Sequence, residues 1–508
     1  MLDPLPTWML KQNVSVVSPF VTDVVNASLR QGVFPDAFKQ AVITPVLKKP
    51  SLDVNVLKNY RPISNIPFLA KVTERIVSDR LKDHFVEHDL DEQFQSAYRK
   101  GHSTETALLK VKGDILREID QGKVVVMAML DLTAAFDTIS HETLSGRLNK
   151  SYGIDGSALA LLDSYIDNRT SRVCIEGALS DKVRLECGTP QGSIMGPLQF
   201  TAYIRPIANI IRKHNLLFHI YADDSQIYIS FDPKQPDGCI SAINRIQLCI
   251  SDISDWMKLN HLKLNMDKTE FIIFGSPHNI KNQAAVNLQV KNITVASTTS
   301  VRNLGVLFDA ALTMNNHVSH LCKTLNFQLR NISRIRKYLD IESCHHIVRS
   351  LVLSRLDYGN SLLIGTTDAN QKRLQRIQNR AARLIFSLKR RDHITPYLEK
   401  LHWLPVSQRI NFKMLTLMFQ CLDDSAPRYL RDDIKLQSSM TTDRYALRSA
   451  DDTTRLFIPN TTRCAGDQSF HVYGPVVRNK LPREIREAPT LSSFKKHLKT
   501  HLYSSCSK

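Results

Sequence analysis

The apolar positions of the chain follow two alternating rhythms. From about residue 8 to 37 they recur at helical spacing (Val17, Phe20, Val21, Val24, Val25, Leu29), and Phe38 to Leu47 then turns β-rich before the basic Lys48-Lys49-Pro50. Residues 66 to 118 read mostly as helix, Val124 to Asp131 as a buried strand, and Glu142 to Asn168 as helix again. Two short β-type runs, Phe218 to Tyr221 and Gln226 to Ile229, flank Ala222-Asp223-Asp224-Ser225, which predicts a hairpin with acids in its turn. A helix at about 238 to 258 and a strand at Glu270 to Phe274 follow. Beyond residue 310 long helical patterns take over. A Ser/Thr-rich stretch from about 437 to 463 predicts a linker or long loop before a small C-terminal unit.

A chain of 508 residues is too long for one compact core, and its 43% hydrophobic and 23% charged content excludes a wholly disordered, collagen-like or disulfide-scaffold protein. The 67 Lys and Arg against 49 Asp and Glu leave a formal charge of +18, which favours polyanionic partners, nucleic acid before anionic membrane. That charge is concentrated: five basic and no acidic residues lie between Lys323 and Lys337, eight and none between 371 and 391. In the second run Arg373, Arg376, Arg380 and Arg383 recur at helical spacing beside Leu374, Ile377, Ala381 and Leu384, so one helix face packs and its neighbour is a basic stripe suited to a nucleic-acid backbone. No apolar run approaches the roughly 20 residues that cross a bilayer. The opening Met1-Leu2-Asp3-Pro4-Leu5-Pro6 is unlike a signal peptide, so an intracellular location, nuclear or cytoplasmic, is expected. Nine scattered cysteines without a Cys-x-x-Cys pair are expected to stay reduced. Cys344-His345-His346 reads as helical surface, since adjacent helical residues point to different sides.

Asp223-Asp224 is the most informative pair. Adjacent carboxylates repel unless a cation holds them, and hard oxygen ligands suit Mg²⁺, which binds through one or two carboxylates plus substrate phosphates. Asp131 closes the apolar strand that begins at Val124. Pairing of that strand with the hairpin would bring all three acids to one sheet edge, the arrangement of two-metal nucleotidyl transfer.

In order along the chain, Asp131-Leu132-Thr133-Ala134-Ala135-Phe136-Asp137, then Gly188-Thr189-Pro190-Gln191-Gly192-Ser193 with Gly196-Pro197-Leu198, then Tyr221-Ala222-Asp223-Asp224 resemble motifs A, B and C of reverse transcriptases. Asn59-Tyr60-Arg61-Pro62-Ile63-Ser64, Leu262-Lys263-Leu264-Asn265 with Asp267-Lys268-Thr269, and Arg302-Asn303-Leu304-Gly305-Val306 resemble additional blocks of non-LTR (LINE) retrotransposon enzymes. The likeness narrows to the Jockey and chicken-repeat type. It extends through Leu401-His402-Trp403-Leu404-Pro405-Val406 and Leu491-Ser492-Ser493-Phe494-Lys495, without the N-terminal endonuclease usual in LINE polyproteins.

The resemblance implies an α+β right-hand polymerase: an N-terminal extension and fingers over 1–120, a palm with an antiparallel sheet and motifs A to D over 121–275, a β-hairpin or primer-grip-like segment over 276–310, a helical thumb over 311–395, and a mainly helical C-terminal region over 396–508. It implies RNA-directed DNA synthesis, with template RNA, DNA primer and deoxynucleoside triphosphates as partners. Asp131, Asp223 and Asp224 would hold two Mg²⁺ ions, for which Mn²⁺ can substitute. Lys48 and Arg61 match fingers residues that clamp the triphosphate, and Gln191 and Gly192 the turn beneath the incoming base. Phe136 matches the aromatic ring that excludes a ribose hydroxyl. Lys268 matches a lysine that protonates the leaving pyrophosphate. Gln199, Arg205 and Gly359 depart from the family pattern, so a catalytically inactive nucleic-acid-binding remnant is the alternative.

Overall fold

The computed structural model describes residue 3 and residues 5–133, 136–281, 286–291, 293–439 and 454–505. Its centre is a six-stranded sheet in the order Asn287–Val290, Ile293–Thr298, Glu270–Phe274, Val124–Leu130, Asp224–Phe231, Leu217–Tyr221. All neighbours are antiparallel except Glu270–Phe274 with Ile293–Thr298. The hairpin expected within 276–310 therefore extends the palm sheet, and a second hairpin, Ser300–Asn303 with Val306–Asp309, follows it.

Val124–Leu130 is apolar throughout because both faces of its sheet are covered. Val124, Val126, Ala128 and Leu130 join one core with helix Gly238–Leu259 and helices His141–Tyr152 and Gly156–Ile166. Val125 and Met127 point the other way, into a core shared with helix Thr104–Asp120 and the helices beyond residue 310. Period-two alternation thus feeds two cores from one strand. A smaller sheet, in which Gln40–Leu47 pairs antiparallel with Tyr60–Asn65 and parallel with Thr170–Ile175, carries the fingers residues.

The N-terminal helical pattern resolves into Thr7–Gln12 and Val14–Gln31, ended by Gly32 at φ +66°. The thumb pairs helix Asn315–Ile335 with helix Asp368–Phe386, whose Leu374, Ile377, Ala381 and Ile385 are buried. The C-terminal region docks onto this body. Helix Val406–Leu422 packs against Leu491–Ser504, with the Phe419 and Phe494 rings stacked at 4.7 Å. Of the stretch expected to be a linker, 440–453 lies outside the described residues. Its far end is anchored where Asp120 accepts hydrogen bonds from the backbone amides of Thr462 (2.9 Å) and Arg463 (2.7 Å), which hold that carboxyl below its ordinary pKa against the opposing effect of burial. No helix among the described residues is long and apolar enough to cross a membrane.

Candidate active site

Strand register brings the three acids together. Leu130 lies opposite Ser225 in the pairing of Val124–Leu130 with Asp224–Phe231, so Asp131 leaves its strand beside Asp224 at the end of the sheet. Strands Leu217–Tyr221 and Asp224–Phe231 close over a two-residue turn, Ala222-Asp223, with Tyr221 paired to Asp224. Ala222 sits at φ +55°, a left-handed conformation that glycine tolerates better than alanine.

The electrostatics of these carboxylates reflect their crowding. Burial, then the charges of Asp223 and Asp131, push the Asp224 carboxyl up to about 6. Burial and Asp131 also raise Asp223, while the cations of Lys268 and Arg61 pull it back. Lys268 Nζ donates to Asp131 Oδ2 at 3.0 Å, and Asn265 Nδ2 donates to the same oxygen at 3.1 Å. The segment that bears them is pinned to motif A by the Asn265 amide on the Asp131 carbonyl (2.8 Å) and by pairing of Lys263–Leu264 with Leu132–Thr133. Among the described residues no group of three or more His, Cys, Asp or Glu side chains forms a ready-made metal cage.

Motif B lies against the fingers. The Ser64 amide donates to the Gln191 carbonyl at 2.8 Å, and Gly192, at φ +129°, approaches Ser64 so closely that a Cβ there would sit 2.6 Å from its carbonyl oxygen. Arg61 is exposed on the same fingers strand, opposite Val46. Lys48 lies just past the end of that pairing, its Nζ donating to the Lys58 carbonyl at 2.7 Å. Phe136 packs at a tilt on Phe200 of the helix after motif B (4.9 Å, 32°) and stays half-buried. The Thr189 amide donates to the Phe136 carbonyl at 2.9 Å, tying motif A to motif B.

The four stripe arginines are on the thumb and do not share one environment. Arg376 and Arg380 are exposed, with Arg380 Nη1 donating to Asn326 at 2.8 Å. Arg373 is half-buried and donates to Ser319 (3.1 Å) and Asn370 (3.3 Å); Arg383, also half-buried, donates to the Asp392 carbonyl at 3.2 Å.

Two supporting residues were not foreseen. Glu74, fully buried on helix Phe68–Glu87, accepts from the Ile194 amide at 2.6 Å and the Met195 amide at 3.4 Å, fixing the entry to helix Gly196–Ile204. Gln95, also buried, accepts through Oε1 from the amides of Ala97 (2.8 Å) and Ala222 (3.2 Å), so it braces the acidic turn from outside its own hairpin. Phe94 to Ser96 runs alongside Ile220 as a short extra strand, with the Ser96 amide on the Ile220 carbonyl at 3.0 Å and the Ile220 amide on the Phe94 carbonyl at 2.8 Å. A polar residue amid Phe94 and Ala97 was the one available signal.

The family model for reverse transcriptase (RNA-dependent DNA polymerase) matches residues 46–308, just over half of the chain. The probable RNA-directed DNA polymerase from transposon X-element of Drosophila melanogaster is 26% identical over 371 residues, covering 72% of this chain and 40% of the relative. The RNA-directed DNA polymerase from mobile element jockey of the same species is 24% identical over 350 residues, covering 67% and 37%. The chain therefore spans about 40% of the length of these relatives. Apo telomerase from Candida tropicalis superposes with a TM-score of 0.40 at 10% identity, over 78% of this chain and 67% of that one. With motifs A to C inside the matched segment and their acids at one end of a mostly antiparallel sheet, the chain belongs to the reverse transcriptase family.

Proposed function

We propose that this chain extends a DNA primer on an RNA template, with Asp131, Asp223 and Asp224 as its metal ligands. The observation that carries the reading is the Leu130–Ser225 register, which sets acids from motifs more than 90 residues apart at one sheet end facing the fingers. The donor set fits a divalent cation of the kind reverse transcriptases use. It consists of hard carboxylate oxygens, two of whose groups, Asp223 and Asp224, are raised in pKa by burial and then by neighbouring carboxylate charge, and a divalent cation would add opposite charge to that of Lys268 and Arg61. Asp131, Asp223 and Asp224 would hold Mg²⁺, which would lower the pKa of a primer hydroxyl and neutralise triphosphate charge.

The remaining residues position and neutralise. Arg61 presents a guanidinium fork near Asp223, suited to bidentate contact with phosphate oxygens, and Lys48 adds a second cation at the same fingers hairpin. Gln191 and Gly192 form a floor against the fingers strand beneath the incoming base. The partly exposed Phe136 ring, packed on Phe200, is read as the side chain that would meet a 2′-hydroxyl, favouring deoxynucleotides. Lys268, an exposed ammonium bonded to Asp131, is read as the group that would donate a proton to the leaving pyrophosphate. The thumb stripe, Arg376 and Arg380 foremost, grips the template-primer backbone.

Asp223→Asn keeps the side-chain size and removes the charge. Extension of a DNA primer on an RNA template should fall by at least about a hundredfold, the scale of losing a major electrostatic contribution. Extension at the parent rate would overturn the ligand assignment, and no extension by the parent chain would leave the inactive nucleic-acid-binding remnant.

A further inference from the structure

The motif Leu401-His402-Trp403-Leu404-Pro405-Val406 has no part in the reading above, yet its first three residues wall a cavity of about 390 Å³ where the thumb meets the C-terminal helices. The size suits a nucleotide and exceeds what a single phosphate needs. Three basic side chains line it, Arg349 from the thumb and Arg409 and Lys499 from the C-terminal region, against one acid, Asp357. That acid is already engaged, because Arg409 grips it through two N–H groups, one of them at 2.8 Å, and Asn360 donates to it at 3.3 Å. Arg349 and Lys499 make no side-chain hydrogen bond or ion pair with any described residue.

The backbone at this place is irregular on both walls. Arg349–Leu353 forms a π-helical turn whose two end residues face the cavity, and His402 sits at φ +52°. Such distortions persist where surrounding structure holds them, and they concentrate at functional sites. Beside them the His345 ring packs at 5.9 Å on the buried Trp403, leaving a half-buried aromatic flank. The unrelieved positive charge is felt within the cavity: Lys499 is held below its ordinary pKa by burial and by Arg409, and His345 by burial, His346 and Arg349.

We propose that this cavity binds a phosphate ester of a nucleotide, with Arg349 and Lys499 on the phosphate oxygens and His345 beside the base. A nucleic-acid strand running from thumb to C-terminal region and a free nucleotide share this chemistry, and two assay arms separate them. The full chain is compared with an Arg349→Ala/Lys499→Ala variant and with a Lys495→Ala/Lys496→Ala variant, which loses the same charge from exposed positions of helix Leu491–Ser504 outside the cavity.

In the first arm, anisotropy of a labelled 20-nucleotide RNA across salt concentrations should show the cavity variant binding about tenfold more weakly. Its log K against log salt should flatten by roughly 0.7 for each lost single-strand contact. In the second arm, equilibrium dialysis of labelled AMP should show the loss if a free nucleotide is the ligand. A fall specific to the cavity variant in either arm supports the site and names its source. Equal behaviour of the two variants in both arms overturns it. If the alanine pair melts early, Arg349→Gln/Lys499→Gln gives the same comparison.

Discussion

Replacing Gln95 by Leu conserves bulk and removes the acceptor that two buried backbone amides share. Those of Ala97 and Ala222, both buried residues, reach Oε1 at 2.8 and 3.2 Å. An unsatisfied buried donor costs about 1–3 kcal/mol; the substitution leaves two amides unpaired but also removes the buried, unpartnered Gln95 Nε2, so the net destabilisation of this region is about 1–3 kcal/mol. Only the Ala222 share falls on the turn that carries Asp223. If it is lost from the transition state, about 1–3 kcal/mol corresponds to a fall of roughly 5- to 150-fold at 1.36 kcal/mol per decade. The drop should be in kcat, with the KM for deoxynucleotide little moved, because Gln95 positions the acids and does not meet the substrate. Steady-state primer extension on an RNA template, at a temperature where circular dichroism shows the variant folded, is the assay. A kcat within twofold of the parent in the folded variant would refute the brace, and a rise in KM alone would place Gln95 in substrate binding instead.

Gln199 is 2% exposed with neither amide atom hydrogen-bonded, so Gln199→Leu should stabilise the protein by about 1–3 kcal/mol, raising its Tm by a few degrees in calorimetry; an unchanged or lower Tm would mean the amide has a partner in solution. His219 is fully buried, held to about 3 by burial and by the charges of His102 and Lys110, and its Nε2 meets Ser96 Oγ at 2.8 Å. Its folded pKa lies below the unfolded value near 6.5, so the native state binds fewer protons. The associated stability is complete above about pH 6.5 and is lost as pH falls toward 3, by an amount of order 5 kcal/mol. Urea titrations between pH 7 and 4 should show that decline, and His219→Gln should make it shallower. Phe136→Ala should leave deoxynucleotide incorporation largely intact while ribonucleotide incorporation rises; competition primer extension with both sugars would show unchanged discrimination if the ring has no such role.

What the sequence alone determined is local. The unbroken apolar run from Val124 to Leu130 announced a strand buried on both faces, and the paired aspartates between two short β-type runs announced the hairpin turn, because strand burial and turn chemistry depend on a few neighbouring residues. The ordered motifs carried the family and the acids. The spacing of Leu374, Ile377 and Ala381 likewise marked the packed face of the thumb helix.

Tertiary structure decided everything that depends on contacts distant in the chain. No local pattern states that Leu130 lies opposite Ser225, yet that register alone makes one site of Asp131 and Asp224. Nor could helical spacing tell which stripe arginines stay free, since Ser319 and Asn326, which receive Arg373 and Arg380, come from another helix. Gln95 and Glu74 were invisible for the same reason. Each is a polar residue that accepts from a backbone amide more than 100 positions away, and an amide carries no side-chain signature for a sequence to display. The small unit after about residue 463, read as lying beyond a linker or long loop, packs onto the rest of the chain because Phe494 and the amides around Thr462 find Phe419 and Asp120 only when the chain folds back.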